Sequence, residues 1–264
     1  MNLLKKLIIG ALTLIVLAGP AGQENKKEYE KLSRDYTKIE RTINFDNPQE
    51  TLNEAFKRCS PNNISEIIYD HDFTHSDNYI KNRFIGHSRR LIEGYLNQAR
   101  KGTEGHILCV TGIFEDTGNN KKRTVFARKS LLTSLGVNCE ADLDSAIYHE
   151  DIHAEEERYG YEFGDRRIGG EELMKMFNEN KLRTEVISGA GEFDAYASEL
   201  ERANNVKIKP SAMHVFNTTL NAYQVYSILE RALERGTLTP LEIKYAEAKL
   251  KKHENTIETL KNYR

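Results

Sequence analysis

His149, Glu150 and His153 stand in the stretch AIYHEDIHAEEERYG, residues 146 to 160, in the order His-Glu-x-x-His. On a helix, residues four apart share one face a turn apart, so both imidazoles can point at one metal ion. Imidazole nitrogen suits zinc, and a carboxylate beside the first histidine can reach a water at that ion as general base. The interval matters. A gap of three would rotate one ring away, and a gap of five would lose it. The plain alternative is a solvated, highly charged helix, with Asp151 and Glu155 among its charges, that happens to carry two histidines.

A catalytic zinc also needs a third protein ligand and an open position for water. The segment GAGEFDAYASELERA offers Glu192, read here as part of the first turn of a later helix, with Ala195, Tyr196 and Glu199 along the same face. The order is then a strand hairpin, the His-Glu-x-x-His helix, a connection and a glutamate-bearing helix. Over residues 106 to 204 this order resembles zinc metallopeptidases of the zincin type, and among them the glutamate-ligand gluzincins. The resemblance implies His149 and His153 as ligands, Glu150 as the water-activating base and Glu192, in a Glu-x-x-Ala context, as the third ligand. Glu199 is the alternative ligand. Asp194 would orient a histidine from outside the ligand set. The hairpin strand before the helix would be the edge along which an extended peptide binds. The longer metzincin pattern is absent, because position 159 is Tyr.

These residues need elements to hold them. NPQETLNEAFKRC opens a helix with Asn47 or Asp46 as cap and Pro48 in the first turn. SEIIYDHDFTHSDN, residues 65 to 78, reads as a polar connection, including the pair His71 and His75. NRFIGHSRRLIEGYLNQARKG follows as an amphipathic helix ending at Gly102. HILCVTGIF and RTVFARKSLL have strand character, and the turn-forming EDTGNNKK between them predicts an antiparallel hairpin. Asp142 or Asp144 is expected to cap the motif helix. Helices then follow over 169–182, 189–205, 211–236 and 239–264, with Gly236 stopping one and Thr239 and Pro240 starting the next. His214 lies on one of them, where a zincin can place a group that stabilises an oxyanion; a core or surface histidine is the other reading.

The expected fold is α+β: a mostly helical, zincin-like domain with a small antiparallel hairpin before the motif helix. It is expected to span residues 46–264 as one domain, after an exposed helix or tether over 23–45. Residues 1–22 read as a signal peptide, with Lys5 and Lys6 ahead of a short apolar core from Leu7 to Ala18 and a break at Gly19 and Pro20. The protein is therefore expected outside the cytoplasm, and in contact with a membrane only if that segment stays uncleaved as an anchor.

The 38 basic and 40 acidic residues nearly balance, which argues against nucleic acid as a partner. Three scattered cysteines exclude a disulfide framework and a Cys-based zinc site. No Gly-x-Ser-x-Gly elbow, phosphate loop or dinucleotide fingerprint is present. A di-iron site would need a second Glu-x-x-His, which is missing. The reading that remains is an exported, Zn2+-dependent peptidase acting on peptide or protein. Its alternative is a non-catalytic exported helical scaffold or binding protein with a degenerate or structural metal site.

Overall fold

The computed structural model describes residues 46–70, 74, 75, 77, 78, 108–110, 123–127, 137 and 139–261. The expected signal segment, the tether, the helix over 82–102 and the turn of the hairpin lie outside the described residues. What is described is mostly helical with a small amount of sheet, an α+β arrangement.

Helix α1, Pro48–Cys59, carries proline in its first turn and ends on Ser60 in the left-handed region, φ 45°. Strands β2 (Leu108–Val110) and β3 (Arg123–Ala127) pair antiparallel, with Cys109 opposite Val125. This is the pairing expected of the hairpin. The sheet is nevertheless mixed. Strand β1, Ile64–Tyr69, lies parallel to β3 on its other side, giving the order β1-β3-β2. Residues 65–69 were expected as connection, and they are strand. Since β3 is flanked on both sides, the strand nearest the motif in sequence is central; among the described residues the sheet edges are β1 and β2.

Helix α2, Glu140–Tyr159, carries the motif. It starts earlier than the expected caps. Cys139 is its N-cap, and the Asp142 carboxylate reaches back to accept from the Cys139 N–H at 3.2 Å. Asp144 is inside the helix, paired with Arg58 at 2.8 Å. Gly160 (φ 93°) turns the chain into a second, unforeseen hairpin, β4 (Tyr161–Phe163) with β5 (Arg166–Ile168). A side chain at Gly160 would be strained at this φ and would crowd the Ile168 carbonyl at 3.1 Å.

Five helices complete the chain: α3 (Gly170–Asn178), α4 (Thr184–Asn205), α5 (Ala212–Glu234), α6 (Pro240–Lys252) and α7 (Glu254–Lys261). Gly236, at φ 60°, ends α5 and Thr239 starts α6, as the sequence predicts; Glu242 closes a reciprocal capping box with Thr239. The last segment is broken at His253 rather than continuous.

Two apolar clusters flank the motif helix. One joins α1, β1, β3 and the Leu143, Ile147 and Ala154 face of α2. The other gathers β4, β5 and α3 to α7 around Phe193, Tyr245 and Tyr226. Helix α2 packs against α4, which also packs against α5, α6 and α7. The candidate site is built on this α2–α4 contact.

Candidate metal centre

Ser145, His149 and His153 recur every four residues of α2, so they form one row on a single face. Glu192, Tyr196 and Glu199 do the same on α4, at intervals of four and three. Helix α4 begins at Thr184, eight residues before Glu192, so this glutamate lies about two turns in, not in the first turn. Helix on both sides fixes its backbone more firmly than a helix end would.

The two rows meet at three side chains. His149 Nε2 lies 3.2 Å from His153 Nε2. Glu192 places Oε2 3.5 Å from His149 Nε2 and Oε1 3.6 Å from His153 Nε2. A tetrahedral zinc with bonds of about 2.0–2.2 Å holds its ligands about 3.3–3.6 Å apart. The donor set therefore fits such an ion in type and in spacing. Among the described residues the cluster has these three members, leaving a fourth position for water or substrate. Side-chain exposure rises from 12% at His149 through 21% at His153 to 34% at Glu192. The cluster thus opens to solvent on the Glu192 side, unlike a closed structural site.

Glu199 is not a competing ligand in this arrangement. Its Oε2 lies 3.3 Å from His149 Nδ1, while Oε1 is 2.6 Å from His214 Nε2, 2.8 Å from Ser145 Oγ and 3.4 Å from Thr218 Oγ1. Burial would raise its pKa, but hydrogen bonds from His149 and His214 outweigh that and lower it to about 2. An ionised carboxylate only accepts, so both histidine nitrogens facing it donate. His149 is thereby held with a proton on Nδ1, so Nε2 is the nitrogen that can give up its proton and ligate a metal at the cluster. His214 is buried on this carboxylate, so the core identity is the one observed, not a group exposed to a reacting oxyanion.

The electrostatics agree with a cation site. Burial works against charge on His149 and His153, yet Glu192 for both, and Glu199 for His149, hold their pKa values above 6.5. The same histidines hold Glu192 well below the usual carboxylate range against the opposing effect of burial. Negative charge converges here and favours the protonated imidazoles in the absence of a metal. Glu150, the expected base, is buried at 8% exposure, and its charge is felt at both His153 and Tyr196. The Tyr196 ring lies against that of His149, tilted by 55° with centroids 4.6 Å apart, and its hydroxyl bonds Asn221.

Asp194 does not orient a cluster histidine. It points to the opposite side of α4, where it meets Lys249, Lys252 and His253 at 2.5, 2.7 and 2.7 Å. A helical step of two residues places it on another face from Glu192. Ser145 and Thr218 also bond Glu199; the four-residue interval from Ser145 to His149 is a signal visible in the sequence, whereas Thr218 has none. Of the pair His71 and His75, the first lies outside the described residues, and the backbone N–H of the second bonds Asp70 at 2.9 Å. Among the described residues no helix is long and apolar enough to cross a membrane. Compared with known proteins, the chain matches no family model, no curated protein and no solved structure.

Proposed function

We propose that the chain is an exported zinc-dependent metallopeptidase of zincin-like design, with His149, His153 and Glu192 holding the ion and Glu150 as general base. One observation carries this reading: two imidazole nitrogens and a carboxylate from two different helices converge at tetrahedral spacing, open on one side. A zinc ion bound there would polarise a substrate carbonyl and bring the pKa of a water toward 7. Glu150 would take a proton from that water as it attacks and deliver it to the leaving amine. Glu199 keeps the His149 ring in one tautomer and orientation throughout. The apolar segment behind Lys5 and Lys6 supports export.

Glu150→Gln separates chemistry from metal binding, because Glu150 is outside the ligand set. The variant should keep zinc and lose peptide hydrolysis about 100- to 10,000-fold, the usual contribution of general-base assistance. His153→Ala should lose the metal. Hydrolysis by Glu150→Gln at the wild-type rate would refute the mechanism. A wild-type protein that holds one zinc and cleaves nothing in a broad peptide library would favour the scaffold with a structural metal.

A further inference from the structure

Lys249 of α6 is 6% exposed, and its ammonium lies 2.5 Å from Glu156 Oε1 and 2.5 Å from Asp194 Oδ2. Glu156 follows His153 by three residues on α2, and Asp194 follows Glu192 by two on α4. One buried cation therefore bridges the two helices that carry the cluster, a turn or less beyond the cluster itself. Tyr245, one turn earlier on α6, donates its hydroxyl to the same Glu156 carboxylate at 2.9 and 3.0 Å. Burial works against charge on Lys249, but Glu156 and Asp194 outweigh it and keep the ammonium protonated.

The bridge stands beside a close approach of the two helices. At Gly191 an added Cβ would meet Glu156 Oε2 at 3.3 Å and His153 Nδ1 at 4.0 Å. The absence of a side chain lets α4 approach this near, but it does not hold α4 there. Without the ammonium, Asp194 keeps Lys252 and His253 and Glu156 keeps the Tyr245 hydroxyl, but the charged tie between α2 and α4 is lost. His153, three residues before Glu156, and Glu192, two before Asp194, are 3.6 Å apart and are the ligands nearest this tie in sequence.

We propose that Lys249 is a positioning residue for the metal centre, a cationic strut from the C-terminal helices that sets the separation of His153 and Glu192. The inference rests on the metal reading above. It assigns α6 a task beyond packing: the helix supplies the charge that keeps two ligand-bearing helices in register.

The test compares zinc affinity, by competition with a chromophoric chelator, in the full chain for wild type, Lys249→Met and Leu260→Ala. Leu260 is a buried core residue of α7 outside this network and serves as a control for lost stability. Lys249→Met should bind zinc about 10-fold more weakly or worse, in the range that outer partners of metal ligands contribute. Leu260→Ala should lower Tm while leaving the affinity of the folded protein within about twofold of wild type, well below that 10-fold effect. If Lys249→Met does not fold, Glu156→Gln cuts one arm of the bridge at unchanged volume and should show the same loss. Wild-type affinity in the Lys249 or Glu156 variant would overturn the inference while leaving the metal site intact. Equal losses in Lys249→Met and Leu260→Ala would assign the effect to stability and overturn it too. A wild-type chain that takes no zinc would bring down the metal reading and this inference together.

Discussion

The carboxylate of Asp151 accepts from the backbone N–H groups of Asn62 and Asn63, at 3.2 and 2.7 Å. It is buried, and it points away from the cluster toward the start of β1. A charge inside the His-Glu-x-x-His motif thus serves to fasten α2 to the sheet, on the side opposite its histidines. Asp151→Ala would leave a buried N–H without its partner, which costs about 1.5–3 kcal/mol for a bond to a charged group. Urea denaturation should show that loss as a lower midpoint, and zinc affinity of the folded variant should stay at the wild-type level. An unchanged midpoint would mean the bond contributes nothing net. The pairing of His149 with His153 was legible in the sequence because local helical spacing selects it, whereas Glu192 came from the gluzincin resemblance, with Glu199 as its alternative. The role of Asp151 was not legible, since its partner Asn63 is 88 residues away. Asp194 was placed in the right helix but on the wrong face, because an expected helix start at 189 carries no information about which neighbour packs where.

Helical elements were mostly legible, their ends less so. The caps at Gly236 and Thr239 have local chemistry and lie where expected. The start of α4 at Thr184 and the break at His253 depend on tertiary partners: Arg183, just before α4, is held by the buried Glu242 of α6, and His253 lies between Asp194 and Glu201. Strand β1 was hidden for a different reason. A register shift between Ile64 and Glu66 interrupts the alternation of inward and outward residues, leaving Ile64 and Ile67 buried three apart. Its parallel pairing with β3, from over fifty residues away, has no turn signal in sequence at all. The hairpin β4–β5 is three residues a side, too short for a periodicity to show.

At the scale of the whole molecule, α2 and α4 form a seam between two apolar clusters, and charges converge along it. The pH dependence follows from their pKa values. His149 and His153 are raised above 6.5 in the folded chain, so without metal their contribution to stability is fully present below 6.5. It is lost as pH rises through their folded values. Glu192 and Glu199 are lowered, so their contribution is present above 4.5 and is lost as pH falls toward their folded values. Zinc must displace the imidazole protons. Its affinity should therefore rise with pH above 6.5 and level off once both histidines titrate, over the same window in which the metal-free chain loses Tm. Zinc titrations and melting curves across that range would check this, and an affinity independent of pH would contradict it.

The central claim is that these three side chains hold one zinc ion. Anomalous diffraction at the zinc edge, from crystals of the zinc-loaded chain, tests it most directly. The account predicts one strong peak about 2.0–2.2 Å from His149 Nε2, His153 Nε2 and a Glu192 oxygen, with Glu199 remaining on His149 Nδ1. A cluster without a peak, or a peak ligated with Glu192 turned away, would contradict it.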